Sequence, residues 1–152
     1  MRKAFLVLCS FIFVFLIASM ASAVPEGAQR FYGVHDPVPA STLTALPTDD
    51  PAILGGTVIS GDPRIAASVE HFAPSATNVT CGIFNVTRGA LEVTYPFSEH
   101  AQVIAGQVEV TDEAGVTQRY GPGDAYLIPQ GTTVLVRVIT PFLQKSFCNW
   151  IE

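Results

Sequence analysis

The chain has 152 residues, of which 49% are hydrophobic and 14% charged, with 13 acidic side chains against 8 basic ones. This length gives room for one domain with one hydrophobic core. The acidic balance and the scattered Lys and Arg argue against nucleic acid or anionic lipid as a partner.

The first 23 residues have the pattern of a secretory signal peptide. Arg2 and Lys3 form a positive n-region, residues 4–17 are nearly all apolar, and Ala21-Ser22-Ala23 is a small-x-small cleavage site. The alternative is a retained membrane anchor, since residues 4–23 approach the ~20 needed to span a bilayer. Pro25-Glu26-Gly27 favours cleavage. We therefore expect an exported protein, periplasmic or secreted, that leaves the membrane after cleavage and has no nucleic-acid partner.

Residues 24–52 are predicted to form an extended arm. Pro, Thr, Ser, Ala and Asp dominate this segment, and no helical or strand period persists in it. We expect the arm to lie on the domain that follows, with Phe31 and Tyr32 as anchors.

Residues 53–152 show many short strand-like runs separated by turn signals, which is typical of an all-β sandwich or barrel. Leu91, Val93 and Tyr95 alternate with polar residues, so they share one apolar face. Turns are predicted at residues 61–63, 87–89, 112–115, 121–124 and 129–131. Strands are predicted at 57–60, 66–72, 81–86, 91–95, 101–104, 107–111, 116–120, 126–128, 132–140 and 143–151.

Two spaced patterns fall within this region. Glu99 is followed seven residues later by Gly106, and Gly123 is followed by Pro129 and Gly131. Glycines at such corners allow positive φ or a close backbone approach, and proline fixes the entry to a turn. The patterns resemble the end of the first cupin motif, G-x5-H-x-H-x3or4-E-x6-G, and the start of the second, G-x5-P-x-G-x2-H-x3-N. This resemblance implies a single-domain jelly-roll cupin β-barrel.

The stretch 56–149 resembles, more closely, the small cupins related to ureidoglycine aminohydrolase and the ethanolamine-utilisation cupin. The matching segments are Gly82-Ile83-Phe84, Val103-Ile104-Ala105-Gly106, Gly121-Pro122-Gly123-Asp124 and Ile128-Pro129-Gln130-Gly131. The first relationship implies hydrolysis of a small nitrogenous or carboxylate metabolite, normally with a metal ion.

The metal-binding histidines of the cupin motifs are missing. Aligned with the motifs, their positions hold Val93, Tyr95 and Val134. A transition metal needs three or four N, O or S donors, and Glu99 alone cannot supply them. We therefore expect no metal and no other cofactor at the usual place.

Three histidines remain elsewhere. His35 lies in the arm, where we expect it to be exposed. His71, at the end of a strand, either points into the barrel or sits on its rim. His100 follows Glu99 directly, so the two side chains face opposite sides of a strand. A displaced metal site built on Glu99, His71 and His100 is the remaining metal alternative.

The candidate ligand-binding residues are Tyr95, Glu99, His71 and Tyr126. An inward Glu99 among apolar side chains is a candidate general base, or an anchor for a ligand hydroxyl or amine. The structural alternative is a carboxylate bonded to Tyr95 or to backbone amides. Tyr126 is either a stacking wall for a ligand or part of the core.

The sequence leaves two alternatives open for Lys145 and for a pair of cysteines. Lys145, the only lysine of the mature chain, either pairs with an acid at the barrel mouth or is a solvated edge residue, and the second is favoured. Cys81 and Cys148 either form a disulfide, which export permits, or remain two buried thiols.

These observations predict an exported cupin, monomeric or homodimeric, that binds a small organic ligand in its barrel. The alternatives are a metal-assisted hydrolase and a structural or partner-binding module that uses the arm.

Overall fold

The computed structural model describes residues 37–47, 56–72 and 79–151. The predicted signal peptide, Phe31, Tyr32 and His35 lie outside these ranges. Within them, no helix is long and apolar enough to cross a membrane.

The described residues form an antiparallel β-structure with one short 3-10 turn, Ala40–Thr42. Its strands are β1 (Thr44–Leu46), β2 (Gly56–Gly61), β3 (Ile65–Phe72), β4 (Val79–Thr94), β5 (Ser98–Ala105), β6 (Val108–Thr111), β7 (Thr117–Tyr120), β8 (Ala125–Ile128) and β9 (Thr133–Trp150).

The long strands β4 and β9 pair with each other along most of their length and take part in both halves of the sheet. In one half, residues Val79–Thr87 of β4 and Phe142–Trp150 of β9 lie at the centre of the strand order β1-β3-β4-β9-β5-β8. In the other half, the later part of β4 pairs with β2, and the earlier part of β9 pairs with β6 of the β6-β7 hairpin. Side chains from both halves, such as Val86, Val93, Val134 and Leu143, pack in one buried cluster. The sheet therefore curls around a single core, as the predicted barrel requires.

Two predicted breaks in the strands are wrong. The residues Thr87-Arg88-Gly89, predicted as a turn, form a bulge at which β4 changes partner from β3 to β2. Strand β9 likewise continues through Pro141. A bulge inserts an extra residue at which a strand bends but continues. The turn-like composition therefore marks a bend within the strand and not its end.

The described part of the arm is fixed to the barrel. Val38 is buried, its N–H donates to Gln144 Oε1 (2.6 Å), and its carbonyl accepts from Gln144 Nε2 (2.9 Å). Residues 44–46 pair with β3, although the sequence of the predicted extended arm shows no strand period. A three-residue edge strand is too short to produce a period of two.

The motif glycines occupy corners, as predicted. Gly106, Gly123 and Gly131 have φ values of 82°, 94° and 81°. At Gly106 a Cβ would also overlap the carbonyl oxygen of Phe142. This glycine therefore satisfies both a left-handed φ and a close approach of two chain segments.

Cys81 and Cys148 are directly opposite in the β4-β9 register and form a disulfide. The bridge joins positions 67 residues apart. Of the two alternatives for these cysteines, the disulfide is the one that the structure contains.

Candidate functional site: a buried ion pair in the barrel

Glu99 lies on β5 with its side chain inside the barrel. It is 5% exposed, whereas the next residue, His100, is exposed. Val93 and Tyr95 are also buried, while Glu92 and Thr94 are exposed. The predicted alternation is confirmed on β5 and at the end of β4, where successive side chains point to opposite faces of the sheet.

Lys145 provides the partner of Glu99. Its Nζ donates to Glu99 Oε1 at 2.5 Å, and both side chains are 6% exposed. The prediction of a solvated edge lysine is wrong, because β9 lies between β4 and β5 and is not an edge strand. The inward-facing side chain of Lys145 is therefore flanked by side chains of β4 and of β5.

Aromatic side chains surround the pair. Lys145 Nζ lies 5.1 Å from the ring centroid of Phe84 and 5.6 Å from that of Tyr126, within the range of cation–π attraction. Tyr95 interacts electrostatically with Glu99, and Tyr126 with Lys145. We call Tyr95, Glu99, Tyr126 and Lys145 the barrel cluster.

The electrostatics of the barrel cluster keep Lys145 charged. Burial alone would lower the pKa of its ammonium, but the negative charge of the Glu99 carboxylate outweighs burial and raises this pKa above its usual value. Burial and the charge of Glu99 raise the pKa of Tyr95 well above 10. Burial also raises the pKa of Tyr126, against the opposing effect of Lys145. Both phenols are therefore neutral hydrogen-bond donors at neutral pH.

Three of the four predicted ligand-binding residues, Tyr95, Glu99 and Tyr126, come together in the barrel cluster. His71 lies on β3 opposite Thr80, but its side chain is outside the described part of the structure. Its role therefore stays a prediction.

Sequence reasoning gave Lys145 the wrong environment, although a signal was present. Leu143, Lys145 and Phe147 alternate along β9, and the two flanking residues are buried. A lysine in phase with apolar neighbours on a central strand has to point inward, where it needs a counter-charge.

The residues at the cupin metal position do not fit a metal ion. Val93 and Val134 are aliphatic and buried, and the Glu99 carboxylate already binds an ammonium that would repel a cation. Within residues 37–47, 56–72 and 79–151, no three or more His, Cys, Asp or Glu side chains are grouped as ligands. The displaced site is also unsupported, since Glu99 faces inward and His100 outward.

A cavity of about 160 Å³ adjoins the barrel cluster beneath the β6-β7 hairpin. Tyr126 belongs to both, because it lines the cavity and its ring centroid lies 5.6 Å from Lys145 Nζ. Tyr120 packs beside it with ring centroids 4.9 Å apart and donates its O–H to Gln118 Oε1 at 2.7 Å. The other walls include Val110, Leu127, Ile128, Pro129, Thr132 and Val134. Asp112 and Gln118 also line the cavity, so its walls are a mixture of polar and apolar groups.

Comparison with known sequences identifies a similar domain. Residues 75–147, just under half of the chain, match the EutQ-like cupin domain. No curated protein matches the sequence.

Solved structures with a similar fold are distant in sequence. The EutQ protein of Clostridium difficile is 14% identical, with a TM-score of 0.52 over 59% of this chain and 70% of that one. A DUF861-family protein from Pseudomonas syringae pv. tomato is 21% identical, with a TM-score of 0.59 over 70% of this chain but only 43% of its own. A protein from Rhizobium leguminosarum bv. viciae is 20% identical, with a TM-score of 0.50 over 60% of this chain and 84% of that one. Similarity at this level establishes the fold alone.

Proposed function

We propose that this chain, whose residues 75–147 match the EutQ-like cupin domain, binds a small organic molecule in its barrel beside the Glu99–Lys145 ion pair. The observation that carries the proposal is the position of that pair. It occupies the place where the cupin motifs put a metal, and Tyr126, whose ring lies 5.6 Å from Lys145 Nζ, also lines a cavity.

The size of the cavity limits the ligand. An engineered apolar cavity of about 150 Å³ is known to hold benzene. A cavity of about 160 Å³ therefore suits a single ring or a short chain of comparable volume.

The donors and acceptors of the barrel cluster suggest the ligand's polar group. Lys145 Nζ lies 5.6 Å from the Tyr126 ring centroid, and an ammonium has only donors, so it cannot accept a bond from the Tyr126 O–H. The Tyr126 O–H is then left to donate in another direction. A carbonyl or carboxylate oxygen on the ligand would accept this bond, and the positive charge of Lys145 behind the phenol would strengthen it.

The two other functions expected from the sequence have less support. Metal-assisted hydrolysis needs a donor set that Val93, Tyr95 and Val134 do not offer. A module that presents its arm to a partner needs a free arm, whereas Val38 is bonded at both its N–H and its carbonyl to Gln144.

We also propose that the protein works outside the reducing cytosol. The Cys81–Cys148 disulfide supports this, because such bonds persist in oxidising compartments. Fractionation of the source cells with an antibody against the mature chain tests the proposal. Recovery of the chain in the cytosol with residues 1–23 attached would overturn it.

Native mass spectrometry of the mature protein, purified from its own exporting cells, tests ligand binding. We expect an additional mass equal to one small organic molecule, absent from the variant Val110→Phe, which fills the cavity from β6. Val58→Phe is the matched control, because Val58 is 41% exposed and lines no part of the cavity.

Substitutions in the barrel cluster then test its role in binding. With the retained molecule as titrant, Tyr126→Phe and Glu99→Gln should each weaken binding, by roughly tenfold if one charge-assisted hydrogen bond is lost. Unchanged binding in both variants would refute the role of the cluster.

A further inference from the structure

We propose a second binding site on the outer face of the barrel, where Arg88 and Arg137 hold a small oxyanion such as a phosphate or a carboxylate group. The two arginines line a shallow depression of about 390 Å³ together with Ser60, Gly89, Val138 and Ile139. This site is separate from the barrel cluster and does not depend on the function proposed for it.

The ion pairs of the molecule single out these arginines. The described ranges contain five basic side chains, and three are paired: Arg64 with Asp62, Arg119 with Glu109, and Lys145 with Glu99. Neither of the remaining two has an ion pair within the described residues, and both lie in the same depression. The chain has more acidic than basic side chains, so two unpaired cations placed together make a local positive site on an acidic protein.

The β4 bulge positions Arg88. It projects from the point where β4 leaves register between Thr87 and Gly89, and its Nε donates to the carbonyl of Thr140 at 3.4 Å. A guanidinium has five N–H donors, so this bond orients the group and leaves four donors for another acceptor. The backbone beneath is tightly packed, since a Cβ on Gly89 would lie 3.0 Å from Pro63 and from the Ser60 carbonyl oxygen.

Arg137 approaches from β9, where it pairs with Ala90 on one side and Glu109 on the other. Glu109 on β6 lies directly opposite Arg137. Its carboxylate, however, is 3.9 Å from the Nε of Arg119 on β7, the strand on the other side of β6. Arg137 is exposed, so its guanidinium is open to a ligand from solvent.

These features fit an organic anion with a small apolar part. Guanidinium groups bind carboxylate and phosphate oxygens through paired, charge-assisted hydrogen bonds. The Ser60 hydroxyl offers a further donor, and Ile139 gives the depression an apolar side. Because the arginines are exposed, binding should weaken as the salt concentration rises.

The test is a titration of the mature protein with phenyl phosphate and, separately, with benzoate, followed by the backbone amide NMR shifts of residues 88–90 and 137–139. We expect saturable shifts with at least one probe, and dissociation constants about tenfold larger in Arg88→Gln and in Arg137→Gln, the loss expected for one bidentate contact. Arg88→Lys keeps the charge but not the planar fork, so it should also bind more weakly.

The matched control is the double variant Glu109→Gln/Arg119→Gln, which removes a surface arginine outside the depression and keeps the net charge. Its affinity should equal or exceed that of the unchanged protein, because it also removes the acid opposite Arg137. No saturable shift with either probe would overturn the proposal, as would equal weakening in this control and in Arg137→Gln.

Discussion

Lys145 and Glu99 illustrate how a buried charge depends on its counter-charge. Each ion loses its water when the barrel closes, and their mutual attraction offsets this cost only while both are present. The pair therefore defines the chemistry of the barrel interior without making the fold more stable than an apolar core would.

The first prediction concerns this pair. Lys145→Met or Glu99→Leu alone should lower the free energy of unfolding by about 3–5 kcal/mol, since each leaves an uncompensated buried charge. The double variant Glu99→Leu/Lys145→Met should regain most of that loss. Denaturant unfolding of the four proteins measures the coupling.

The exposed pair Arg119 and Glu109 gives the control for this cycle. Its atoms are 3.9 Å apart and its side chains are 60% and 30% exposed. Arg119→Met should cost less than about 1 kcal/mol. If Lys145→Met cost no more than this, the ion pair would not be buried as described.

The second prediction concerns alkaline pH. In the folded protein the pKa values of Tyr95, Tyr126 and Lys145 are all raised, so the fold favours the protonated form of each. Their contribution to stability is complete below pH ~10, the unfolded tyrosine value. It is lost as the pH rises further, because the unfolded chain releases these protons first.

The ultraviolet absorbance of tyrosinate provides the measurement. We expect a late ionisation step that coincides with alkaline unfolding and loses amplitude in Tyr95→Phe and Tyr126→Phe. Complete ionisation of all four tyrosines near pH 10 while the protein stays folded would be inconsistent with buried phenols.

The strands show what sequence reasoning can and cannot reach. Alternation located most strands and placed Val93 and Tyr95 on one apolar face, because the period of two is a local property. It did not pair Glu99 with Lys145, since the two lie 46 positions apart in the sequence and meet only through the register of β5 and β9. The breaks predicted at Arg88 and Pro141 were wrong for a related reason, as composition does not distinguish a bulge from a turn.

The third prediction concerns the corner after β5. Gly106→Ala should destabilise the protein more than Gly123→Ala, although both glycines have positive φ. An alanine Cβ at Gly123 meets nothing within 4 Å, so only the strain of about 1–2 kcal/mol applies. At Gly106 it also overlaps the Phe142 carbonyl oxygen and approaches Thr140 Oγ1, which adds about 1–3 kcal/mol. Equal losses measured by thermal and denaturant unfolding would contradict this close approach.

The disulfide acts on the whole molecule through the unfolded chain. In the chain-entropy model, a loop closed across 67 positions stabilises the folded state by roughly 4 kcal/mol. The fourth prediction is that Cys81→Ala/Cys148→Ala loses about this amount in denaturant unfolding and becomes insensitive to reductant, whereas the unchanged protein is destabilised by it. Two free thiols in the unfolded, unreduced mature protein would contradict the bridge.

The cupin fold places the barrel cluster, but it does not determine the reaction, because similar barrels carry unrelated chemistries. The function of this chain therefore depends on the side chains inside the barrel. Its central feature is an ammonium held by a carboxylate at the position where the motifs place a metal ion.

Anomalous diffraction from crystals of the mature protein soaked in Mn²⁺ and in Zn²⁺ tests this feature directly. We predict no anomalous peak in the barrel, with Lys145 Nζ within hydrogen-bonding distance of Glu99. An anomalous peak coordinated by Glu99, with Lys145 displaced from it, would contradict the account.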